Sequence, residues 1–287
     1  MHPIKQLSDN ALIELCTSIY HDTRQRAEVS KLFLTEASEL SRVRKSLELI
    51  PPATKAKSTL VDLGFATYWI PAYFHLGYDR VIGITKYKNG HQVSLDAIEN
   101  WQNSESVDVM CLDIDTNMLP VEDASVDVVC CFELLEHLAL DPMLMFSEAN
   151  RILKLFGNLV LTTPNISSWL SVLRIVQGNN PNNWSAFSPN IHDSSLRHKR
   201  EYTPYEVQQL AESSGFTIDR LFTNVNLSIH SRRMVAKQII TLLLLAVSSV
   251  PVRYRGPIIF SLARKTAPVA ERYPKWLYHD FRNGPRR

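Results

Sequence analysis

Cysteine is scarce in this sequence, and the few cysteines show no spacing typical of a disulfide framework. The chain of 287 residues has four of them, Cys16, Cys111, Cys130 and Cys131. The last three fall in segments with the composition of buried strands, where cysteine acts as a small hydrophobic residue. We therefore expect reduced, structural cysteines.

The sequence also lacks a secretory leader and an apolar run long enough to cross a bilayer. The N-terminus, from Met1 to Gln6, has no basic region followed by an apolar core. The most apolar segment, Ile239 to Val252, is shorter than the ~20 residues that a spanning helix needs. These absences predict a cytoplasmic protein in which residues 231–252 form an inserted apolar helix, either buried or at an interface.

Basic residues around that segment keep peripheral contact with an anionic membrane open as an alternative. They are Arg232, Arg233, Lys237, Arg253 and Arg255. Residues 267–287 are predicted to be a basic C-terminal tail, which lacks the dense mixture of arginine and aromatic residues of a nucleic-acid site. The net charge of the chain is only +2, which likewise gives no reason to expect nucleic acid as a partner.

Helical periodicity dominates the first part of the chain. Apolar residues recur at spacings of three and four from Leu12 to Ile19 and again from Leu32 to Leu47. Pro51 and Pro52 end this pattern, because proline lacks an amide donor and restrains the residue before it. Residues 1–57 are therefore predicted to form an N-terminal helical extension.

From residue 58 onward, short apolar runs alternate with helical periodicity, which indicates a parallel sheet with right-handed crossovers. The predicted strands are Ser58–Leu63, Arg80–Ile84, Val107–Leu112, Ser125–Phe132, Gly157–Thr163, Phe216–Phe222 and Pro257–Ala263. Residues 165–200 interrupt the alternation, and a connection of this length is typical of a substrate loop. Its aromatic residues Trp184 and Phe187, with Tyr202 and Tyr205 beyond it, either line an acceptor pocket or pack the loop down.

The most informative stretch runs from Asp127 to Leu138. It begins as a continuous apolar run, typical of a strand buried on both faces, and ends in Glu133, Glu136 and His137. If the chain turns helical after Phe132, these three side chains share one face. A polar cluster at the end of a buried strand predicts a functional site.

A second signal is Asp62-Leu63-Gly64, which follows the first predicted strand. Nucleotide-type cofactors bind at the carboxyl ends of parallel strands, where a glycine lets the backbone approach the ligand. The alternative is a strand-ending turn that requires a glycine for its geometry alone.

The order of the segments along residues 58–266 resembles that of the Rossmann-like S-adenosylmethionine-dependent methyltransferases. The matching segments are Asp62-Leu-Gly64, Val81-Ile-Gly83-Ile-Thr85, Asp113 to Pro120, Ser125 to Val129, Ala149 to Lys154 and Gly157 to Asn165. The resemblance implies an α/β fold: a Rossmann-like, mostly parallel seven-stranded sheet with helices on both faces, plus the N-terminal extension. It also implies S-adenosyl-L-methionine as the cofactor.

The same resemblance assigns the cofactor contacts. In that family the first loop holds the methionine part of the cofactor, which falls here on Asp62 and Gly64. The end of the second strand holds the ribose, which falls on Thr85. The loop after the third strand holds the adenine, which falls on Asp113 and Ile114. Phe132, at the end of the fourth strand, completes the predicted cofactor-binding set.

Two departures from the family pattern concern this cofactor site. The first loop, Gly64-Phe65-Ala66-Thr67-Tyr68, keeps only the first of the usual glycines. Thr85 stands where the family usually has a carboxylate that accepts hydrogen bonds from both ribose hydroxyls, and a threonine offers only one hydroxyl. Both departures predict weaker cofactor binding, and they motivate the alternative of a non-catalytic binding module.

Glu133-Leu-Leu-Glu136-His137 and the later segment His198-Lys-Arg-Glu-Tyr-Thr203 resemble the metal-binding segments of small-RNA 2′-O-methyltransferases. The first segment also resembles ubiquinone-biosynthesis O-methyltransferases. The resemblance implies a divalent metal held by Glu133, Glu136, His137 and His198, with His137 and His198 as catalytic residues. Many related small-molecule methyltransferases share the first segment without a demonstrated metal, so the alternative is that His137 packs or caps while Glu136 faces water.

These observations together predict a methyltransferase that methylates an oxygen of a small or lipid- or saccharide-linked metabolite. The expected partner is therefore a small-molecule or glycolipid acceptor. Two rivals remain: a non-catalytic module with the same fold, and a metal-dependent RNA 2′-O-methyltransferase.

Overall fold

A seven-stranded sheet forms the centre of the computed structural model, which describes residues 1–35, 37–86, 93–182, 197–224, 232–245 and 250–278. The strands are β1 Thr59–Leu63, β2 Arg80–Thr85, β3 Val107–Cys111, β4 Val126–Phe132, β5 Leu153–Pro164, β6 Phe216–Thr223 and β7 Ile258–Lys265. Their order across the sheet is β3-β2-β1-β4-β5-β7-β6. Strand β7 runs antiparallel to both of its neighbours, and the pairs from β3 to β5 are parallel. The mostly parallel seven-stranded sheet expected from the sequence is confirmed.

Nine helices surround the sheet in the part of the chain that the structure describes. They are α1 Asp9–Thr17, α2 Thr23–Thr35, α3 Ala37–Leu49, α4 Ile70–His75, α5 Leu95–Glu99, α6 Pro142–Ile152, α7 Trp169–Val176, α8 Pro204–Ser213 and α9 Arg232–Leu245. Helix α5 has only five residues, and residues 87–92 shortly before it lie outside the described residues. None of the described helices is both long and apolar enough to cross a membrane.

Apolar side chains cover both faces of the sheet, because successive residues of a strand point to opposite sides. Val128 and Cys130 of β4 pack in one core with the N-terminal helices and α4, whereas Val129 and Cys131 pack in a second core with α6 and α8. Helices on both faces are thus confirmed, and so is the N-terminal helical extension. Leu12 of α1 shares the first core with Leu60 of β1, so the extension is built onto the sheet.

Strand β5 begins earlier than the predicted Gly157. Val126 pairs with Leu153, but the next pair joins Val128 to Asn158, so residues 154–157 bulge out of the ladder. Phe156 adopts a left-handed φ of 68° within this bulge. The sequence pattern located only the regular part of the strand, because the pairing before the bulge involves a single residue.

The four cysteines are all free, as expected. Cys16, Cys130 and Cys131 are buried, and burial raises the pKa of Cys16 to about 12. The prediction that Cys111 is buried is wrong, because Cys111 ends the edge strand β3 and is exposed. An edge strand has a neighbour on one side only, so its last residue is easily reached by water.

Candidate active site

All predicted site residues except His198 lie at or shortly after the carboxyl ends of four adjacent parallel strands, β3, β2, β1 and β4, which meet at one edge of the sheet. The register pairs Leu63 of β1 with Ile84 of β2 and with Cys131 of β4. It also pairs Phe132 of β4 with Thr162 of β5. In open α/β sheets this edge is where ligands bind.

The first loop is shaped by one glycine and one aromatic ring. Gly64 has a φ of +79°, and a Cβ there would lie 3.2 Å from the Cβ of Leu134, so any other residue would be strained and crowded. The N–H groups of Gly64 and Phe65 both donate to the carbonyl oxygen of Ile84, at 3.0 and 3.1 Å. The ring of Phe65 occupies the space above Gly83, where a Cβ would lie 2.5 Å from it. The ring of Phe65 thus fills space in the first loop that a glycine at this position would leave open.

Asp62 is buried directly beneath this loop. Its Oδ2 accepts a hydrogen bond of 2.8 Å from the hydroxyl of Tyr73, in the following helix. Burial raises the pKa of Asp62 to about 8, although the hydrogen bonds from Tyr73 and the main chain of Ala66 oppose that rise. The carboxyl group therefore holds the loop and the helix together, in addition to its predicted role towards the cofactor.

Three further predicted cofactor residues lie at the ends of β2 and β3. Asp113 forms a 2.7 Å ion pair with Lys86 and accepts a 3.1 Å hydrogen bond from the N–H of Asp115. The carbonyl oxygen of Thr85 accepts from the N–H of Leu112 at 2.9 Å, which ties the two strand ends together. Ile114 is buried in the second core. The structure therefore brings Thr85, Asp113 and Ile114 to neighbouring positions.

A line of aromatic rings covers the end of β4. The ring of Phe132 lies 5.0 Å from that of Trp69, which lies 5.0 Å from Tyr68, and Tyr68 in turn lies 5.5 Å from Phe33. These rings connect the predicted cofactor residue Phe132 to helix α2 of the N-terminal extension. The extension therefore forms one wall of the edge where the cofactor is expected.

Glu136 lies in a short 3-10 turn, Leu135–His137, that follows β4. Its Oε2 accepts a 2.9 Å hydrogen bond from the hydroxyl of Thr163 at the end of β5. Its Oε1 is buried and has no hydrogen-bond partner among the described residues. The alternative in which Glu136 faces water is wrong, because this side chain is fully buried.

The two histidines named from the sequence lie next to each other. Their ring centroids are 5.0 Å apart in an edge-to-face arrangement. Nδ1 of His137 lies 3.0 Å from the carbonyl oxygen of Arg197, and its Nε2 lies 3.9 Å from the unpartnered Oε1 of Glu136. A carbonyl oxygen only accepts, so Nδ1 of His137 carries the proton and Nε2 carries a lone pair.

Burial controls the charges in this cluster. It raises the pKa of Glu136 well above its ordinary value, and the nearby Glu133 adds to this rise. Burial also raises the pKa of Glu133, with Arg42 opposing it. The pKa of His137 is lowered, first by burial and then by neighbouring His198 and Lys199, although the contact with Arg197 opposes this. Uncharged forms of Glu136 and His137 are favoured.

The geometry also fits a metal ion. One donor atom each from Glu136, His137 and His198 lies within 4.8 Å of the other two, and the buried Oε1 of Glu136 is available. Two imidazoles and one carboxylate are a set that suits manganese, iron or zinc. Glu133, the fourth predicted ligand, is not in this group; its backbone has a left-handed φ of 51°.

Sequence reasoning missed three residues around the cluster. Glu201 lies 2.9 Å from Nδ1 of His198, and its spacing of three residues from that histidine was the available signal. Thr163 was seen only as the end of a strand. Arg42 of α3 is held by Glu39 at 2.7 Å, and the carboxylates of Glu133 and Glu39 outweigh burial and raise its pKa. Nothing in the helical pattern distinguishes Arg42 from the other arginines of α2 and α3.

The aromatic residues proposed for an acceptor pocket have separate outcomes. Trp184 and Phe187 lie outside the described residues, as do residues 183–196 of the predicted substrate loop. Tyr202 is buried in the second core, so the packing alternative holds for it. Tyr205 is half exposed and contacts the ring of Tyr254 edge to face at 5.7 Å.

Comparisons with known proteins agree with this architecture. Residues 61–161 match a family described as "Methyltransferase domain". A protein of Mycolicibacterium smegmatis, named "Probable S-adenosylmethionine-dependent methyltransferase", is 36% identical over 103 residues, which are 35% of this chain and 32% of that protein. The match thus spans about a third of the relative's length.

Two solved structures share the fold at low sequence identity. One is a proposed S-adenosylmethionine-dependent methyltransferase of Listeria monocytogenes, with a TM-score of 0.52 and 17% identity over 81% of this chain and 100% of that chain. The other is a proposed methyltransferase of Haloferax volcanii in complex with the activator Trm112, with a TM-score of 0.51 and 16% identity over 88% and 98% of the two chains.

The strand order and the polar edge define an α/β protein with a ligand cleft at the carboxyl ends of its parallel strands. Over residues 61–161 the chain is similar to the methyltransferase-domain family, and over 103 residues it is similar to a probable S-adenosylmethionine-dependent methyltransferase. Both comparisons agree with the resemblance to Rossmann-like S-adenosylmethionine-dependent methyltransferases that the order of the motifs predicts.

Proposed function

We propose that this protein transfers a methyl group from S-adenosylmethionine to a hydroxyl group of a small or lipid- or saccharide-linked metabolite. The observation that carries the proposal is the 3.9 Å separation between Nε2 of His137 and the buried Oε1 of Glu136. This pair lies at the strand edge expected to bind the cofactor. It offers a proton acceptor beside a second polar group that can orient an acceptor.

S-adenosylmethionine supplies a methyl group on a positively charged sulfur. The acceptor oxygen forms the new bond to the methyl carbon while the bond between carbon and sulfur breaks, and a neutral thioether leaves. Nε2 of His137 takes the proton of the acceptor hydroxyl. It can do so because the ring proton is on Nδ1, which leaves a lone pair on Nε2. Glu201 fixes the ring of His198 beside His137, so the second imidazole is also held in place.

Most of the acceleration is expected to come from alignment rather than from proton transfer. Holding donor and acceptor in line contributes up to about 7–11 kcal/mol in favourable cases. The main-chain N–H groups of Lys199 and Arg200 both donate to the carbonyl oxygen of Glu136, at 2.7 and 3.3 Å. These bonds hold the two halves of the site in a fixed relation, which is what alignment requires.

A metal-assisted form of the same reaction is the second candidate, because three donor atoms lie within 4.8 Å of one another. A divalent ion held by Glu136, His137 and His198 would lower the effective pKa of the acceptor hydroxyl. That form would suit the RNA 2′-O-methyltransferase alternative.

Calorimetric titration with S-adenosylmethionine and S-adenosylhomocysteine tests the cofactor, and the isotopically labelled methyl group tests transfer. We expect binding of both molecules and label transfer to a hydroxyl compound from a panel of phenols, sugars and lipid-linked sugars. No binding at millimolar cofactor would leave the non-catalytic binding module as the better account. Labelling of the 3′-terminal 2′-hydroxyl of a small RNA in preference to every metabolite would favour the RNA alternative.

A further inference from the structure

The burial pattern of helix α9 is the reverse of that of an ordinary surface helix. Its polar residues Gln238 and Thr241 are buried, whereas the apolar residues Ile239, Ile240 and Leu243 are 44%, 58% and 66% exposed. A helix on the surface of a soluble protein normally has the opposite arrangement. The outer face of α9 is therefore suited to be covered by something apolar.

Helix α7 packs against α9, and its C-terminal end also has exposed apolar residues. Ile175 and Val176 are 56% and 78% exposed. We call these two residues, together with Ile239, Ile240 and Leu243, the apolar patch. Several exposed apolar side chains on two packed helices mark an interaction site more often than a single exposed residue does.

The described segments that form and flank the apolar patch carry basic residues and no acidic ones. Residues 232–245 and 250–256 contain five basic residues, and residues 164–182 contain Arg174. Arg174 and Lys237 line a common cleft between α7 and α9. Apolar side chains flanked by cations fit the surface of a bilayer that contains anionic lipids.

A second copy of the chain is a poorer occupant than a membrane. Pairing the same surface with itself would bring cations such as Lys237 and Arg174 of both copies together without acidic partners. Phospholipid headgroups carry the negative charge that this surface lacks. The charges therefore favour an anionic bilayer.

The apolar patch is anchored to the same strand edge as the candidate site. Thr163, whose hydroxyl donates to Glu136, is the second-last residue of β5, and α7 begins at Trp169. The N–H of Trp169 at the start of α7 donates to the carbonyl oxygen of Arg255 at 2.8 Å. The side chain of Asn165 donates to the carbonyl oxygens of Tyr254 and Gly256, at 2.8 and 2.7 Å.

We propose that the apolar patch docks this protein onto an anionic membrane surface and that the acceptor is lipid-linked. The docking itself needs only the patch and its cations, whereas the identity of the acceptor rests on the proposed methyltransferase function. Insertion of the patch among the headgroups would bring the site next to a membrane-anchored hydroxyl group. A freely diffusing metabolite would require no such surface.

Flotation with vesicles tests the docking independently of activity. One set of vesicles contains phosphatidylglycerol and phosphatidylcholine in a ratio of one to two, and the other contains phosphatidylcholine alone. We expect the full-length protein to float with the first set, and the double variant Ile240→Ser, Leu243→Ser to partition about tenfold less, since each buried apolar side chain contributes to interfacial binding. The variant Lys237→Glu should also reduce flotation, more strongly at low salt than at high salt.

The matched control is Leu155→Ser, because Leu155 is 58% exposed but lies near the start of β5, away from the patch. It should float like the unmodified protein. Calorimetric binding of S-adenosylhomocysteine checks that each variant is folded and tests the cofactor function separately. The proposal would be overturned if the unmodified protein failed to float or if the patch variants floated equally well. It would also be overturned if light scattering showed the unmodified protein to be a dimer and the patch variants to be monomers. Flotation without cofactor binding would overturn only the proposed function.

Discussion

The main-chain N–H of Lys199 donates to the carbonyl oxygen of Glu136 at 2.7 Å. This bond joins the turn after β4 to the segment that carries His198, although more than sixty residues of chain separate them. It places the ring of His198 5.0 Å from that of His137. Residues whose relation was open in the sequence thus form one site, and their roles can be tested singly.

The substitution His137→Gln should abolish most turnover while leaving cofactor affinity nearly unchanged. Glutamine keeps a donor near the carbonyl of Arg197 but offers no basic nitrogen, and general base catalysis typically contributes about 10²–10⁴-fold. Initial rates with the identified acceptor and calorimetric binding of S-adenosylhomocysteine measure the two effects. His75→Gln is the control, because His75 is exposed at the end of α4. A loss of less than about threefold would rule out His137 as the base.

Excess chelator should leave the rate within about twofold of its original value if His137 accepts the proton without a metal. The measurement is methyl transfer before and after dialysis against a chelator, with added manganese, zinc and magnesium as separate arms. Titration of the dialysed protein with manganese gives a readout besides activity. A rate that collapses on dialysis and returns with one ion, together with metal binding lost in His198→Ala, would establish the metal-assisted form instead.

The sequence predicted the sheet well because each strand has a distinct local pattern. Val128 to Cys131 are buried on both faces, and that produces the continuous apolar run that marks β4. The order of motifs then placed Asp62, Thr85 and Glu133 at one edge, since the carboxyl ends of parallel strands always meet there. These predictions needed no knowledge of tertiary contacts.

The remaining features depend on contacts between distant segments. Arg42 lies in a helix whose pattern looks like any amphipathic helix, and its burial beside Glu133 follows only from how α3 packs on the sheet. The exposure of apolar residues on α9 could not be predicted either, because an apolar run does not show which face of the helix is covered. The early start of β5 was missed because residues 154–157 interrupt its pattern.

Replacing Gly64 by alanine should cost more stability than replacing Gly178 by alanine. Both glycines have a left-handed φ, +79° and +76°, so both substitutions incur a similar backbone penalty of about 1–2 kcal/mol. Only at Gly64 would the new methyl group meet a neighbour, the side chain of Leu134 at 3.2 Å, whereas nothing lies within 4 Å at Gly178. Urea denaturation of both variants measures the difference. Equal losses of stability in the two variants would show that the side chain of Leu134 moves aside without a cost in free energy.

The variant Thr85→Asp should bind S-adenosylhomocysteine more tightly if Thr85 contacts the ribose as predicted. A carboxylate can accept from two ribose hydroxyls, and one added hydrogen bond contributes about 0.5–1.5 kcal/mol. The expected gain in affinity is therefore about two- to tenfold by calorimetry. Thr85→Asn is the control, because the amide has a similar shape without the charge. Weaker binding in Thr85→Asp than in Thr85→Asn would place the ribose elsewhere.

The effect of Asp62→Asn on the free energy of unfolding should become more favourable to the variant as the pH rises. Burial raises the pKa of Asp62 from 3.8 to about 8, so between these values the folded protein retains a proton that the unfolded chain has lost. The unmodified protein therefore loses stability from this group as pH rises through that window, by up to about 1.4 kcal/mol for each pH unit. Asparagine does not titrate, and it can still accept the hydrogen bond from Tyr73. The unfolding free energy of the variant should therefore rise relative to that of the unmodified protein as the pH goes from 5 to 8. Urea denaturation at each pH measures it, with Asp108→Asn in the exposed ion pair with Arg80 as the control. A difference that stays constant across the series would show that Asp62 is ionised in the folded protein throughout.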